Sequence, residues 1–130
     1  MLKRITALGL LLILAVTLIG CGTAVSYSWV ATTVSSNAKV DSWTISAKSI
    51  DGHASRNIDM TSEKLAALHA ENTSSDGGVF LVMTQGDTEK TFDLSGEFNG
   101  SIDTSAFEPG RVKLRLNFEK AKDVKVYINW

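Results

Sequence analysis

The feature that most constrains the fold is a strict alternation of apolar and polar residues in 112–118 and again in 124–130. A period of two places successive side chains on opposite faces of a β-strand, so each stretch predicts a strand with one buried face. If residues 119–123 form a loop, every apolar residue falls on one face, in the pairs Phe118–Val124, Leu116–Val126, Leu114–Ile128 and Val112–Trp130. A slip of one residue would destroy this match. The pattern therefore predicts an antiparallel hairpin at the end of the chain.

Shorter strand-like stretches precede this hairpin. Residues 25–31 and 40–50 alternate, 79–85 is an apolar run typical of a buried strand, and 57–60 and 90–94 are shorter candidates. Turn chemistry separates them: Ser35-Ser36-Asn37 predicts a turn, Asp51-Gly52 a tight hairpin turn, and Pro109-Gly110 a type II turn.

Residues 62–72 leave two interpretations open. The run from Glu63 to Glu71 has high helix propensity, but Ala66, Leu68 and Ala70 fit one face of a strand equally well. Because the segment lies between strand-like stretches, we favour a strand.

Seven to nine short strands separated by turns predict an all-β fold, a small antiparallel β-sandwich formed by residues 25–130 as one domain. We expect its core to contain Trp29, Trp43, Phe80, Phe92, Leu114, Leu116, Val126, Ile128 and Trp130.

The start of the chain has a different character. Lys3 and Arg4 precede an apolar run over 5–19, which is too short for a comfortable transmembrane helix and ends in Leu18-Ile19-Gly20-Cys21. This stretch resembles the lipobox of bacterial lipoproteins. The resemblance implies that residues 1–20 are a cleaved signal peptide, that Cys21 carries a lipid, and that 21–24 form a lipidated tether. The other interpretation is an ordinary cysteine in an uncleaved anchor.

The resemblance also implies a location. Two or three acyl chains hold a protein stably at a bilayer, whereas one holds it only marginally. We therefore expect a lipid-anchored protein on the extracytoplasmic side of the cell membrane. Gly22 rather than Asp follows Cys21, which favours the outer membrane if the host has two membranes. The number of membranes stays open, and residues 25–130 loosely resemble the small sandwich domains of bacterial lipoproteins.

Composition limits the partners and the chemistry. Removing residues 1–20 takes away Lys3 and Arg4 and no acid, which leaves 11 basic and 14 acidic residues and a net charge of −3. This mild charge does not favour nucleic acid as a partner. Cys21 is the single cysteine, so the mature domain has no disulfide and no cysteine metal site.

Candidate catalytic and metal-ligating residues are sparse. His53 and His69 each lack a second ligand at a metal-binding spacing, and no nucleophile elbow, phosphate-binding loop or calcium loop is present. We predict that His53 is a solvated turn residue. The sequence thus predicts no catalytic residue, no metal and no cofactor, and a protein that is not an enzyme.

The candidate binding surface is the polar face of the predicted hairpin. Its members are Arg111, Lys113, Arg115, Lys125 and Tyr127, and the register above places Arg115 opposite Tyr127. A cation on an aromatic ring contributes about 0.5–1 kcal/mol at an exposed site, which orders a surface without defining a ligand. The same residues also fit a solvated face that protects the sheet from edge pairing.

We therefore expect a membrane-anchored binding or accessory domain that contacts another envelope protein or a wall or carbohydrate polymer. The alternative is a small carbohydrate-binding module, suggested by Trp29, Trp43 and Trp130. That alternative needs exposed aromatic rings, and it loses its sugar platform if all three tryptophans lie in the core.

Overall fold

The computed structural model describes residues 25–130, which form eight β-strands and one short helix. In chain order these are β1 (Ser26–Thr32), β2 (Ser35–Ala38), β3 (Ser42–Met60), α1 (Ser62–Ala67), β4 (His69–Thr73), β5 (Asp76–Gln85), β6 (Thr88–Asp93), β7 (Glu97–Ser101) and β8 (Gly110–Asn129). The expected signal peptide (1–20), the lipobox and the tether (21–24) lie outside the described residues. No helix within 25–130 is long and apolar enough to cross a membrane.

The two longest strands, β3 and β8, form the central pair. They are antiparallel from Ser42, which faces Asn129, to Met60, which faces Gly110. On one side of this pair, β1 and β2 each pair with β3. On the other side, β4 and β5 each pair with β8. The outermost strands are β6, which pairs with β5, and β7, which pairs with β4. Every pairing is antiparallel, so the prediction of an all-β antiparallel fold is confirmed.

The sheet bends in the middle of both long strands. The register of β3 against β8 shifts between Ile50 and Gly52, and Lys120 and Asp123 in β8 have φ values of 46° and 51°. Extra residues in a ladder form β-bulges, which bend a strand and increase its twist. The bend divides the sheet into two parts. The first half-sheet contains 52–60 of β3, 110–118 of β8, β5, β6 and most of β1, and the second contains 42–50, 121–129, β2, β4 and β7.

One core holds the two half-sheets together. Trp43 and Ile45 of the second half-sheet and Leu114 and Leu116 of the first are fully buried in the same cluster. The buried Arg56 of the first half-sheet reaches the second, where it donates a hydrogen bond of 2.9 Å to the carbonyl of Ser42. The sandwich prediction is therefore confirmed.

The expected core is largely correct. Trp43, Leu114, Leu116, Val126, Ile128 and Trp130 are buried, and Trp29 and Phe92 are half-buried against the cluster. Phe80 is the exception, because it stands beside the inward-facing Leu81 and opposite Asn117, on the outer face.

The predicted terminal hairpin is wrong in its pairing but correct in its faces. Residues 119–123 do not reverse the chain: they lie within β8, where Ala121 is fully buried and continues the inner face. β3 supplies the partner strand, so that Leu116 faces Ala54 and Val126 faces Ile45. Alternation fixes which side chains are buried, and it is satisfied equally by a hairpin and by one bent strand.

Two predicted turns are also strand residues. Asp51-Gly52 lies inside β3 at the bend, where Gly52 has φ 131° and a Cβ atom would lie 2.6 Å from the Cα of Trp29. Only glycine fits this φ and this close approach. Ser35-Ser36-Asn37 belongs to β2, and the chain turns before it, at Thr33, whose φ is 51°.

Residues 62–72 contain both of the structures that the sequence left open. Thr61 caps α1 by accepting a hydrogen bond of 3.1 Å from the amide of Lys64, and the helix ends at Ala67. β4 begins at His69, so the strand that we favoured is wrong over 62–67 and correct from 69 onward. The helix propensity of this short segment thus prevails only where no neighbouring strand pairs with it.

Candidate functional site

The outer face of the first half-sheet carries a groove of about 440 Å³ across β6, β5 and β8. Its lining consists of side chains that alternate with core residues along these strands: Val82, Thr84, Glu89, Thr91, Lys113, Arg115 and Asn117. The register places Val82 opposite both Thr91 and Arg115, so residues from separate parts of the chain meet in one row. Residues directly opposite each other on one face are close enough for their side chains to interact.

Arg115 is the most firmly positioned group in the groove. It is half-buried, and its Nε donates a hydrogen bond of 2.8 Å to Oδ1 of Asn117. Asn117 follows two positions along the same strand, so both side chains project to the same face. Val82, which is only 8% exposed, lies beside them as an apolar floor.

The cations of the groove lack acid partners. Within residues 25–130, the one ion pair closer than 4.0 Å joins Arg111 to Asp59, both largely exposed, at 3.5 Å. Lys113 and Arg115 therefore remain available to a ligand, although Glu89 stands in the same lining. A guanidinium group can bind a carboxylate or phosphate with two parallel hydrogen bonds, and the hydroxyls of Thr84 and Thr91 can donate or accept.

A smaller depression of about 210 Å³, whose lining includes Phe98, lies on the second half-sheet. Here Tyr127 and Lys125 stand beside Glu71 and Asn99. Nδ2 of Asn99 donates to Glu71 at 3.2 Å, and its Oδ1 accepts a hydrogen bond of 2.8 Å from His69. The polar groups of this depression thus largely bind one another, unlike the cations of the groove.

The structure separates the binding face expected from the sequence. Lys113 and Arg115 lie in the groove, whereas Lys125 and Tyr127 lie on the outer face of the other half-sheet. The predicted pairing of Arg115 with Tyr127 is wrong, because Arg115 faces Ser55 and Val82, and Tyr127 faces Thr44 and Glu71. Arg111 lies outside the groove lining and pairs with Asp59.

Two of the three tryptophans surround a buried arginine. The Cζ atom of Arg56 lies 5.1 Å from the ring centroid of Trp130 and 6.0 Å from that of Trp43. Arg56 is 2% exposed, and no carboxylate among the described residues lies within 4.0 Å of it. Trp29, the third tryptophan, is half-buried with its ring centroid 4.5 Å from that of the half-exposed Tyr27. Trp43 and Trp130 therefore offer no sugar platform.

Burial lowers the pKa of the Arg56 guanidinium from its ordinary value, because the charged form loses its hydration, while Tyr27 opposes this shift. Backbone carbonyls replace the lost water: Arg56 donates to Lys39 and to Ser42, each at 2.9 Å. The sequence analysis missed this residue. Its position could have revealed it, because Arg56 lies two residues after Ala54 and two before Ile58, and side chains at every second position of a strand share the inner face.

The two histidines lie apart. His53 is half-buried within β3, opposite Ser28 and Asn117, so its prediction as a turn residue is wrong. His69 is in β4 on the other half-sheet. Among the described residues, no group of three or more His, Cys, Asp or Glu side chains is placed to hold a metal ion.

No protein-family model matches the chain, and no curated protein matches it. A solved structure of TmCBM61 in complex with beta-1,4-galactotriose is similar to the chain at a TM-score of 0.40. The two sequences are 14% identical, and the match covers 78% of this chain and 83% of that one.

Proposed function

We propose that this protein is a lipid-anchored, extracytoplasmic and non-catalytic binding domain, and that the groove on β5, β6 and β8 holds a polar polymer of the cell envelope. The observation that carries the proposal is the pair of groove cations without acid partners, Lys113 and Arg115, the second of which Asn117 orients. A side chain held in one geometry loses less entropy when a ligand binds.

The lining of the groove favours a polymer with hydroxyl or acid groups over a protein partner. Six of the seven lining residues are polar or charged, and Val82 is the single apolar member. Interfaces between proteins depend on buried aromatic and aliphatic anchors at their centre, and the groove supplies none besides Val82. A wall polymer or an envelope carbohydrate fits this lining best.

Membrane attachment rests on the sequence of residues 1–21. The lipobox-like Leu18-Ile19-Gly20-Cys21 follows a basic segment and an apolar run, which is the order found in lipoprotein signals. The first test is the mass of the protein purified from its native host, compared with a Cys21→Ala variant. We expect the wild type to begin at Cys21, to be heavier than 21–130 by a lipid, and to fractionate with membranes. A wild-type protein that retains Met1 or is soluble contradicts the anchor.

Co-sedimentation tests the groove. The full-length protein, held in detergent micelles, is mixed with purified peptidoglycan sacculi and, separately, with the extracted surface polysaccharide of the host. We expect the wild type to sediment with at least one polymer and Arg115→Ala to lose most of that binding. Arg111→Ala is the matched control, because it removes an exposed arginine that already pairs with Asp59 outside the groove. Equal binding by Arg115→Ala and the wild type, or no binding of the wild type to either polymer, contradicts the proposal.

A further inference from the structure

The loop between β2 and β3 is fixed by an unusual set of hydrogen bonds. Arg56 donates to the carbonyls of Lys39 and Ser42, and Trp130 donates from its indole to Val40 at 3.1 Å and from its amide to Asp41 at 3.0 Å. Each carbonyl of residues 39–42 therefore accepts a hydrogen bond from Arg56 or Trp130, and the carbonyl of Ser42 also accepts one of 2.8 Å from the amide of Lys39. The loop is held rigidly by a buried cation and a buried indole.

This rigid loop presents an apolar side chain to the outside. Val40 is 75% exposed, although its backbone is bound to Trp130. Burying an arginine without a carboxylate is unfavourable unless hydrogen bonds compensate it. Both hydrogen bonds that Arg56 donates go to this loop, while its buried Nε has no partner among the described residues. These hydrogen bonds fix the backbone of the loop and thereby hold the Val40 side chain at the surface.

The end of the sandwich that carries Val40 is also the end nearer to the start of β1. Val40 lies beside residues 57–59 of β3 and Arg111 of β8, the side of the sheet farthest from the bend. β1 begins at Ser26 opposite Ser55 and runs toward the bend, so that Trp29 faces Gly52. Val25, which precedes Ser26, therefore lies on the Val40 side of β1.

The length of the tether restricts where a lipid on Cys21 can be. Cys21 precedes the buried Val25 by four residues, which reach at most about 14 Å when fully extended. The Val40 end lies about the same distance from the start of β1. Asp59, which borders Val40, is four strand positions from Ser55, the residue opposite Ser26. The bend is farther from Val25: Val30, opposite Asp51, is five strand positions along β1, about 17 Å, which exceeds the reach of these four residues.

We infer that the Val40 end of the domain rests on the bilayer in which Cys21 is anchored, with Val40 in the lipid interface. This inference rests on the lipid anchor of the proposed function. Lys39, Lys64 and Arg111 share this end with Asp41, Asp59 and Glu63, so the charges balance and the contact depends on the apolar side chain.

Two single-cysteine variants test the inference in the full-length protein made in its native host. Val40→Cys places a thiol at the inferred contact, and Val30→Cys is the matched control, an 81% exposed valine at the bend. The Cys21 thiol is blocked by its lipid, so an environment-sensitive maleimide dye labels only the new thiol. The labelled proteins are reconstituted into vesicles of phosphatidylethanolamine and phosphatidylglycerol that contain a spin-labelled quencher lipid.

We expect the dye at position 40 to be quenched several-fold more than the dye at position 30, and its emission to shift to the blue. Equal quenching, or stronger quenching at position 30, overturns the inference. A dye at position 40 that is shielded from water but not quenched also overturns it, because a protein then covers Val40. The mass of each sample separates the two proposals: an unlipidated Cys21 removes the anchor itself, whereas a lipidated protein with equal quenching removes only the orientation.

Discussion

The guanidinium of Arg56 lies 5.1 Å from the ring centroid of Trp130, in the core of the sandwich and without a carboxylate partner among the described residues. The two residues join three parts of the chain, because both of them also bind carbonyls in the loop between β2 and β3. A desolvated cation on an aromatic ring is stabilised by about 2 kcal/mol, which helps to offset the burial of the charge.

Replacing Arg56 by alanine should be strongly destabilising. The variant loses two charge-assisted hydrogen bonds, leaves the carbonyl of Lys39 without the Arg56 donor while that of Ser42 keeps the amide of Lys39, and opens a cavity beside Trp43. We expect the free energy of unfolding to fall by about 3 kcal/mol, measured by urea denaturation. The exposed Arg111→Ala should change it by less than about 0.5 kcal/mol. Equal effects of the two variants would show that Arg56 does not organise the core.

Gly52 should not tolerate a side chain. Its φ of 131° and the Cα of Trp29, 2.6 Å from a Cβ atom, combine backbone strain with a steric clash. We expect Gly52→Ala to lower the free energy of unfolding by about 3 kcal/mol. Gly86→Ala is the control for strain alone, because Gly86 has φ 57° and no neighbour within 4 Å, and should lose about 1 kcal/mol. A Gly52→Ala protein as stable as Gly86→Ala would contradict the close packing at the bend.

Asn117 should act on binding through Arg115. Asn117→Ala removes the acceptor that orients the guanidinium, while the cation itself stays in place. We expect about five-fold weaker binding to the polymer that the wild type binds, which corresponds to about 1 kcal/mol. The control is Asn99→Ala, which removes an amide from the other half-sheet. Binding that responds to Asn99 instead of Asn117 would place the ligand in the wrong half of the molecule for our proposal.

Hydrogen bonds from the hydroxyl and then the amide of Ser95 lower the pKa of Asp93, while slight desolvation opposes them. The charged carboxylate therefore favours the folded state at any pH above the unfolded pKa, and this contribution is lost as the pH falls through the lower pKa of the folded state. In an NMR titration, Ser95→Ala should raise the pKa of Asp93 toward its ordinary value. The pKa of Asp103, which Ser105 lowers in the same way, should not move. An unchanged pKa of Asp93 in this variant would exclude the Ser95 hydroxyl as the main cause.

The alternation in β8 predicted the buried face of the sheet but not the neighbouring strands. Leu116 and Val126 are inward-facing as expected, yet each faces β3 instead of the other. Turn chemistry offered a clue, since Asp123 is the single turn-favouring residue in 119–123. Asp51-Gly52 predicted a turn but lies within a strand, because a glycine with positive φ suits a β-bulge as well as a turn.

The groove was less predictable than the fold. Lys113 and Arg115 were candidates from the sequence, but Val82 and Thr91 enter the groove only through the pairing of β5 with β6 and β8. Such pairings join residues far apart in sequence, and local patterns do not encode them. The same limit explains why Tyr127, on the same strand as Arg115, belongs to the opposite outer face.

The position of β8 in the chain affects when the protein can fold during its synthesis. β8 pairs with β3, β4 and β5, and it is the last strand of the described residues to be synthesised. Until β8 is synthesised, no strand pairs β4 or β5 with β3, and the apolar faces of all three strands remain exposed. Folding of the sandwich therefore waits until β8 has been synthesised, and the earlier strands must be kept from pairing with other chains in the meantime. Under the proposed lipid anchor the chain would be exported unfolded, and this delay would keep a stable core from forming before the chain has crossed the membrane.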